Sequence, residues 1–81
     1  MVITGTWFVD KVEVSIGRET TKYYTLSNKH TGKVVTAMVI QGLCCPQIWN
    51  LIEGEKIKAT LTGGHYRNTN INKHIYEVEL L

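Results

Sequence analysis

The residues best suited to acid–base, nucleophilic or metal chemistry are three histidines and two adjacent cysteines: His30, His65, His74, Cys44 and Cys45. We place His30 in a turn, His65 in a loop and His74 on a strand, and their spacing resembles neither a zinc-ligand pair nor a nucleophile elbow. Adjacent cysteines are poorly placed to join two parts of a fold, so we expect reduced thiols. We therefore predict a protein that is not an enzyme and that holds no metal or cofactor.

Aromatic rings and cations are a second chemical resource, because rings stack on nucleic-acid bases and cations contact phosphates. Between Lys56 and Tyr76 the chain has four basic residues and no acidic residue. The whole chain has nine Lys and Arg against seven Asp and Glu, a formal net charge of +2. A charge this small neither requires nor excludes a polyanionic partner.

The chain that must position these side chains has 81 residues, which we interpret as a single domain spanning 1–81. Eight valines, eight isoleucines and ten threonines make 26 of the 81 residues β-branched. Such side chains are stiff at χ1 and suit a pleated surface better than a helix. The composition therefore predicts a mainly β protein.

Hydrophobic periodicity predicts five strands and one short helix. We expect strands at residues 2–16, 22–28, 33–41, 55–62 and 73–81. Between the third and fourth strands the period changes to that of a helix, which begins at Pro46 and ends at Gly54. Asn28 to Gly32 reads as a hairpin turn with a glycine available for positive φ.

Alternation along each strand predicts which side chains are buried. In the first strand we expect Phe8, Val12, Val14 and Ile16 to share one face, with an exchange of faces near Gly5. In the other strands, the side chains predicted to face the core are Tyr24, Ile57, Ala59 and Leu61. Trp7 and Trp49 are expected to pack in the core or at its ends, because a barrel this small needs bulky side chains to fill it. Tyr23 is out of phase with Tyr24 and should face outward.

The order of these elements resembles that of the OB-fold family. Its most specific local piece is Gly54-Glu55-Lys56-Ile57-Lys58-Ala59-Thr60-Leu61, which looks like the glycine-opened fourth strand common in OB domains. The resemblance implies a five-stranded OB-like β-barrel with one short helix between strands 3 and 4. An SH3-like barrel is the main competitor, and it is disfavoured because its helical turn usually lies between the last two strands.

Lys22-Tyr23-Tyr24-Thr25-Leu26 looks like the second strand of the compact single-strand-binding proteins of bacteriophages. This resemblance implies a non-catalytic protein that binds single-stranded nucleic acid, DNA rather than RNA, and that forms homo-oligomers. OB domains bind on strands 2 and 3 and on the loops after strands 1 and 4. The residues thereby assigned to the site are Arg18, Lys22, Tyr23, Lys33, His65, Tyr66, Arg67, Asn68, Asn70 and Lys73.

A protein-interaction barrel is the alternative, for example a phage-encoded inhibitor of a host enzyme or a subunit of a larger complex with a host or replication protein. Its support is the third predicted strand, which is apolar on both faces. Val34, Met38 and Ile40 would be exposed on that strand unless a partner covers them.

No apolar run approaches the length of a membrane-spanning helix, and the first residues lack the pattern of a secretory signal. We therefore expect a soluble protein of the cytoplasm, or of the host cytoplasm if the protein is viral, with no membrane partner.

Overall fold

The structure is a computed structural model that describes residues 2–64 and 75–81, and within these residues it has five strands and one short helix. In chain order they are β1 (Val2–Ile16), β2 (Thr20–Ser27), β3 (Val34–Ile40), α1 (Pro46–Trp49), β4 (Lys56–Gly64) and β5 (Ile75–Leu80). The strands close into a barrel in the order β1-β2-β3-β5-β4. The predicted fold class is confirmed: a mainly β, five-stranded barrel with one short helix between β3 and β4.

Four of the five strand pairings are antiparallel, and β3 with β5 is the parallel exception. In the part of the chain that the structure describes, that parallel pairing aligns Thr36 with Ile75 and Ala37 with Tyr76 and closes the barrel. The antiparallel pairings are longer, since β1 with β4 alone aligns seven residue pairs. Among the described residues, the pairing that closes the barrel is therefore the one with the fewest aligned pairs.

The core fills the barrel with side chains from all five strands and from the segment around α1. Trp7, Tyr24, Leu26 and Leu61 are fully buried. This confirms the expectation for Tyr24 from its phase with Leu26, and the expectation for Trp7 from the need of a small barrel for bulky side chains. The predicted inward face of β4 is confirmed as well. Burying one large apolar side chain contributes roughly 1.5 to 3 kcal/mol, so these few residues carry much of the stability.

The interior face of β1 differs from the prediction. The register of β1 against β2 shifts between Val9 and Lys11, which places a β-bulge at Asp10 rather than an irregularity at Gly5. Before the bulge the odd residues Trp7 and Val9 are buried, so the prediction that Phe8 lies on the buried face is wrong. A bulge adds one residue to one strand and so exchanges its faces.

The predicted burial of the end of β1 is also wrong. Val14 is 55% exposed and Ile16 is 84% exposed. The reason is that β4 pairs with β1 only as far as Phe8, so the rest of β1 extends beyond the closed barrel and pairs with β2 alone.

Helix α1 is shorter than predicted because side chains of β2 occupy its last carbonyl groups. The Tyr24 hydroxyl donates to the carbonyl oxygens of Ile48 at 2.7 Å and Trp49 at 2.9 Å. The Lys22 ammonium donates to the same Trp49 oxygen at 2.8 Å. These bonds satisfy acceptors that a longer helix would have used, and the chain leaves the helix at Asn50.

Candidate functional site

A basic groove of about 800 Å³ lies beside the first half of β1. Residues 2–8 of β1 form one wall, and the turn between β2 and β3 forms the other. Lys56, the first residue of β4, closes the groove on a third side. We call this site the basic groove.

Positive charge dominates the described lining of the basic groove. Lys29, Lys33 and Lys56 are exposed there with His30, and none of the described lining residues is an aspartate or a glutamate. Three ammonium groups in a lining whose described residues include no carboxylate favour a positive potential in the groove. The groove is thus suited to binding an anion.

Phe8 gives the basic groove an aromatic surface. The residue before the buried Val9 faces outward and is half-buried. The Lys29 ammonium lies 5.6 Å from the centre of the Phe8 ring, and Lys56 is the β4 residue paired with Phe8. A ring with a cation beside it can stack on a base while that cation and others in the groove contact adjacent phosphates.

The turn that carries Lys29 and Lys33 is held by its own hydrogen bonds. Asn28 Oδ1 accepts the backbone N–H of His30 at 2.9 Å and of Thr31 at 3.1 Å. The Asn28 N–H donates to the Lys33 carbonyl at 2.9 Å. Gly32 has φ +74°, which a residue with a side chain rarely adopts. The predicted hairpin turn is confirmed, and it fixes the backbone from which both lysines project.

The residues predicted for the site do not all lie together. Lys33 lines the basic groove. Tyr23 is half-buried on the outer face of β2, paired with Met38 of β3 and Glu13 of β1. Arg18 is exposed in the turn between β1 and β2, at the end of β1 opposite to the groove-lining residues. The structure therefore brings only Lys33 of these three residues to the groove.

Lys22 has a structural partner. Its ammonium donates to the Trp49 carbonyl and lies 4.5 Å from the centre of the Trp49 ring. A cation held by a carbonyl and an aromatic face is already stabilised within the fold. Lys22 thus connects β2 to α1.

The remaining predicted site residues lie outside the described residues. They are His65, Tyr66, Arg67, Asn68, Asn70 and Lys73, and their assignment to the site stays a prediction.

The outer face of β2 and β3, where the OB resemblance placed the site, has a different character. Its outward positions alternate with the buried ones and carry Tyr23, Met38 and Ile40 among threonines, with no lysine or arginine. At its border on β1, Lys11 and Glu13 form an ion pair at 2.6 Å. This face offers one ring and several apolar groups but little charge for phosphates.

Sequence reasoning missed four residues of the basic groove: Phe8, Lys29, His30 and Lys56. Phe8 was expected on the buried face because the bulge was placed at the wrong residue. Lys29 and His30 belong to a correctly predicted turn, and the signal that could have found them is the basic sequence Lys29-His30 beside Lys33. Only tertiary pairing brings Lys56 to the same groove.

Cys44 and Cys45 are free thiols. Burial, followed by the neighbouring Cys45, raises the pKa of the Cys44 thiol, which favours its neutral form. The described residues contain no group of three or more His, Cys, Asp or Glu side chains arranged to hold a metal ion. No helix in the described ranges has the length and apolar composition needed to cross a membrane.

No protein-family model matches the chain, and comparisons with curated proteins and with solved structures likewise return no match.

Proposed function

We propose that the protein binds single-stranded nucleic acid through the basic groove. The observation that carries the proposal is that Lys29, Lys33 and Lys56 line the same groove as the partly exposed ring of Phe8, with the Lys29 ammonium 5.6 Å from the ring centre. Single strands are bound by cations that follow the phosphate chain and by rings that stack on unpaired bases. The ring lies beside the Lys29 ammonium, so one nucleotide can use both kinds of contact.

A single strand fits this groove better than a duplex does. A base must be unpaired and unstacked from one neighbour before it can lie on an aromatic side chain. Stacking on one ring contributes about 1 to 3 kcal/mol per base, and it depends little on base identity. The proposed binding is therefore tolerant of sequence and sensitive to salt.

The fold family is part of the same proposal. A five-stranded barrel with its helix between β3 and β4 is similar in element order to OB domains, many of which bind oligonucleotides. OB domains use the face of β2 and β3, whereas here the charge lies at the β2–β3 turn and on β1 and β4. Variants on each surface can therefore distinguish the two sites.

The test is a titration of fluorescent single-stranded oligonucleotides, DNA and RNA, at low salt. Phe8→Ala and Lys56→Ala should each weaken binding by about fivefold or more, because each removes a ring or a phosphate contact. Matched controls change the same residue types on other surfaces: Tyr23→Ala on the outer face of β2 and Arg18→Ala in the turn after β1.

Loss of binding in the control variants, with none in the groove variants, would place the site on the face that the OB resemblance indicates. Absence of binding by the wild-type protein at low salt would refute the proposal. Thermal unfolding of each variant checks that lost affinity does not reflect lost structure.

A protein partner is the second candidate, and it is favoured by β3. Val34 is 60% exposed, and Met38 and Ile40 are only half-buried on the outer face of the barrel. A regulatory subunit or an inhibitor of an enzyme would use such a face. Replacing Met38 with Lys should abolish that interaction and leave oligonucleotide binding unchanged, as measured by co-purification and by the same titration.

A further inference from the structure

The end of β1 forms an open strand edge. β4 pairs with β1 from Val2 to Phe8, and the Val9 N–H and carbonyl then bond to Glu55 and Gly54. Beyond Val9, no strand of the described part of the chain lies on this side of β1. We call residues 12–16 the β1 edge.

The direction of the backbone groups at the β1 edge follows from β2. The Thr20 carbonyl accepts the N–H of Gln41, so the backbone groups of Thr20 point toward β3. Successive residues of a strand alternate direction, which turns the backbone groups of Thr21 toward β1, where they meet Ser15. The odd residues of the β1 edge are therefore the ones bonded to β2.

The even residues Val12, Val14 and Ile16 consequently direct their N–H and carbonyl groups to the open side. One contact supports this assignment, because the Val12 N–H donates to Glu53 Oε1 at 3.2 Å across that side. Val14 and Ile16 keep donors and acceptors directed outward from the described fold. An unpaired row of this kind is a template for another strand.

The side chains of the same residues form an apolar strip. Val14 is 55% exposed, Ile16 is 84% exposed and Val12 is half-buried. All three project from one face of β1 because they are two residues apart. An open edge beside exposed β-branched side chains combines backbone and hydrophobic complementarity for a strand.

We propose that the β1 edge pairs antiparallel with the β1 edge of a second copy, about a two-fold axis at Val14. This register places Val14 opposite Val14 and Val12 opposite Ile16, so every apolar residue of the strip meets an apolar residue. Glu13 lies opposite Ser15 on the other face. No charged side chain of the edge faces a like charge.

The hydrogen bonds are compatible with the same register. The two Val14 residues exchange a pair of N–H to carbonyl bonds, and each Ile16 N–H reaches the Val12 carbonyl of the other copy. These four bonds leave the Val12 N–H on Glu53. Two more hydrogen bonds, from each Val12 N–H to the Ile16 carbonyl of the other copy, form when Glu53 releases the Val12 N–H.

Neighbouring registers are less favourable. An axis at Glu13 places two carboxylates opposite each other, and like charges directly opposite are destabilising. An axis at Val12 brings the second Ile16 to Phe8, where β4 already pairs. An axis at Ser15 leaves Val12 opposite Arg18. Self-complementarity about Val14 is the reason to choose a second copy over an unrelated strand.

The proposed interface is small, which predicts a low affinity between the two copies. A pairing of five residues per copy buries well under the roughly 1,200 Å² of total surface found in stable complexes. We therefore expect a weak dimer that forms in the micromolar to millimolar range. This inference stands independently of nucleic-acid binding.

The experiment is sedimentation equilibrium across that concentration range. Wild-type protein should pass from monomer to dimer. Val14→Pro removes the N–H that donates at the centre of the proposed pairing. It removes no hydrogen bond to β2, and edge strands tolerate proline where the N–H faces away from the sheet. It should raise the dimer dissociation constant by about tenfold or more. Val14→Thr retains the N–H and the β-branched shape, and it should stay within about threefold of wild type.

Amide hydrogen exchange of the wild-type protein gives a second measurement that needs no variant. The N–H groups of Val14 and Ile16 should exchange more slowly at high than at low concentration, while those of β3 should not change. A protein that stays monomeric throughout overturns the proposal. A dimer in which the N–H groups of β3, and not those of Val14 and Ile16, exchange more slowly at high concentration also overturns the proposal, because such a dimer uses another surface.

Discussion

The salt dependence of oligonucleotide binding tests the basic groove most directly. For single strands, the logarithm of affinity falls with the logarithm of salt with a slope of about −0.7 for each phosphate neutralised. The groove supplies three lysines, Lys29, Lys33 and Lys56. Three contacts contribute about −2.1 to the slope, so raising salt from about 50 to about 200 mM weakens binding by about 20-fold through these residues alone.

Replacing Lys33 with Ala removes one of these contacts. The slope should become less negative by about 0.7, so the same increase in salt should cost about 2.5-fold less affinity than in wild type. The assay is fluorescence anisotropy with a labelled oligonucleotide at four or more salt concentrations. Because the prediction concerns a difference in slope, contacts made elsewhere on the protein cancel.

Arg18→Ala is the charge-matched control, since it removes one cation from the opposite end of β1. Its slope should equal that of wild type. An unchanged slope in Lys33→Ala with a reduced slope in Arg18→Ala would refute the assignment of the groove. Equal reductions in both variants would show that binding responds to net charge and not to a defined site.

Three further predictions concern the fold. Tyr24→Phe should lower the free energy of unfolding by about 0.5 to 1.5 kcal/mol in urea denaturation, because it removes the hydroxyl donor from the carbonyls of Ile48 and Trp49 while Leu51 and Lys22 still donate to them. Burial raises the pKa of Tyr24 to about 12 from 10.0. The contribution of the neutral hydroxyl to the free energy of unfolding should therefore be complete below pH 10 and should decrease between pH 10 and 12. Tyr24→Phe should lack this pH-dependent decrease. Ser27→Ala should change stability by less than about 1 kcal/mol or increase it, because the buried Ser27 hydroxyl has no partner in the described fold; a large loss would reveal an unrecognised contact.

Strict alternation made β4 predictable from the sequence, and the glycine of the turn after β2 made that turn predictable. Ile57, Ala59 and Leu61 are buried while Lys56 and Lys58 are exposed, as a period of two requires. Gly32 has the positive φ for which a glycine was expected. In both cases the determining signal lies within a few neighbouring residues.

Other features depend on residues that are distant in sequence. The bulge at Asp10 lies where β1 passes from pairing with both β2 and β4 to pairing with β2 alone. The spacing of valines along β1 does not indicate where β4 ends. Lys22 was assigned to a binding site by its place on β2, yet its ammonium is held by Trp49 of α1.

The candidate site was the least predictable part of the molecule. Tyr23 was correctly expected to face outward, but the charged groove lies elsewhere. It joins Phe8, the turn residues and Lys56, which tertiary pairing brings together. Local patterns predict which face a side chain takes, whereas a site assembled from three elements requires the strand register.

The sparse parallel pairing of β3 with β5 has a consequence for folding kinetics. β1, β2 and β3 form a meander of sequence neighbours, and such local contacts assemble early. Closing the cylinder requires β5 to pack beside β3, which is distant in sequence, and residues 75–81 contribute two residue pairs to that step. The rate-limiting barrier for this chain should therefore lie at closure, and mutations at Ile75, the β5 partner of Thr36, should alter the folding rate more than mutations within the meander.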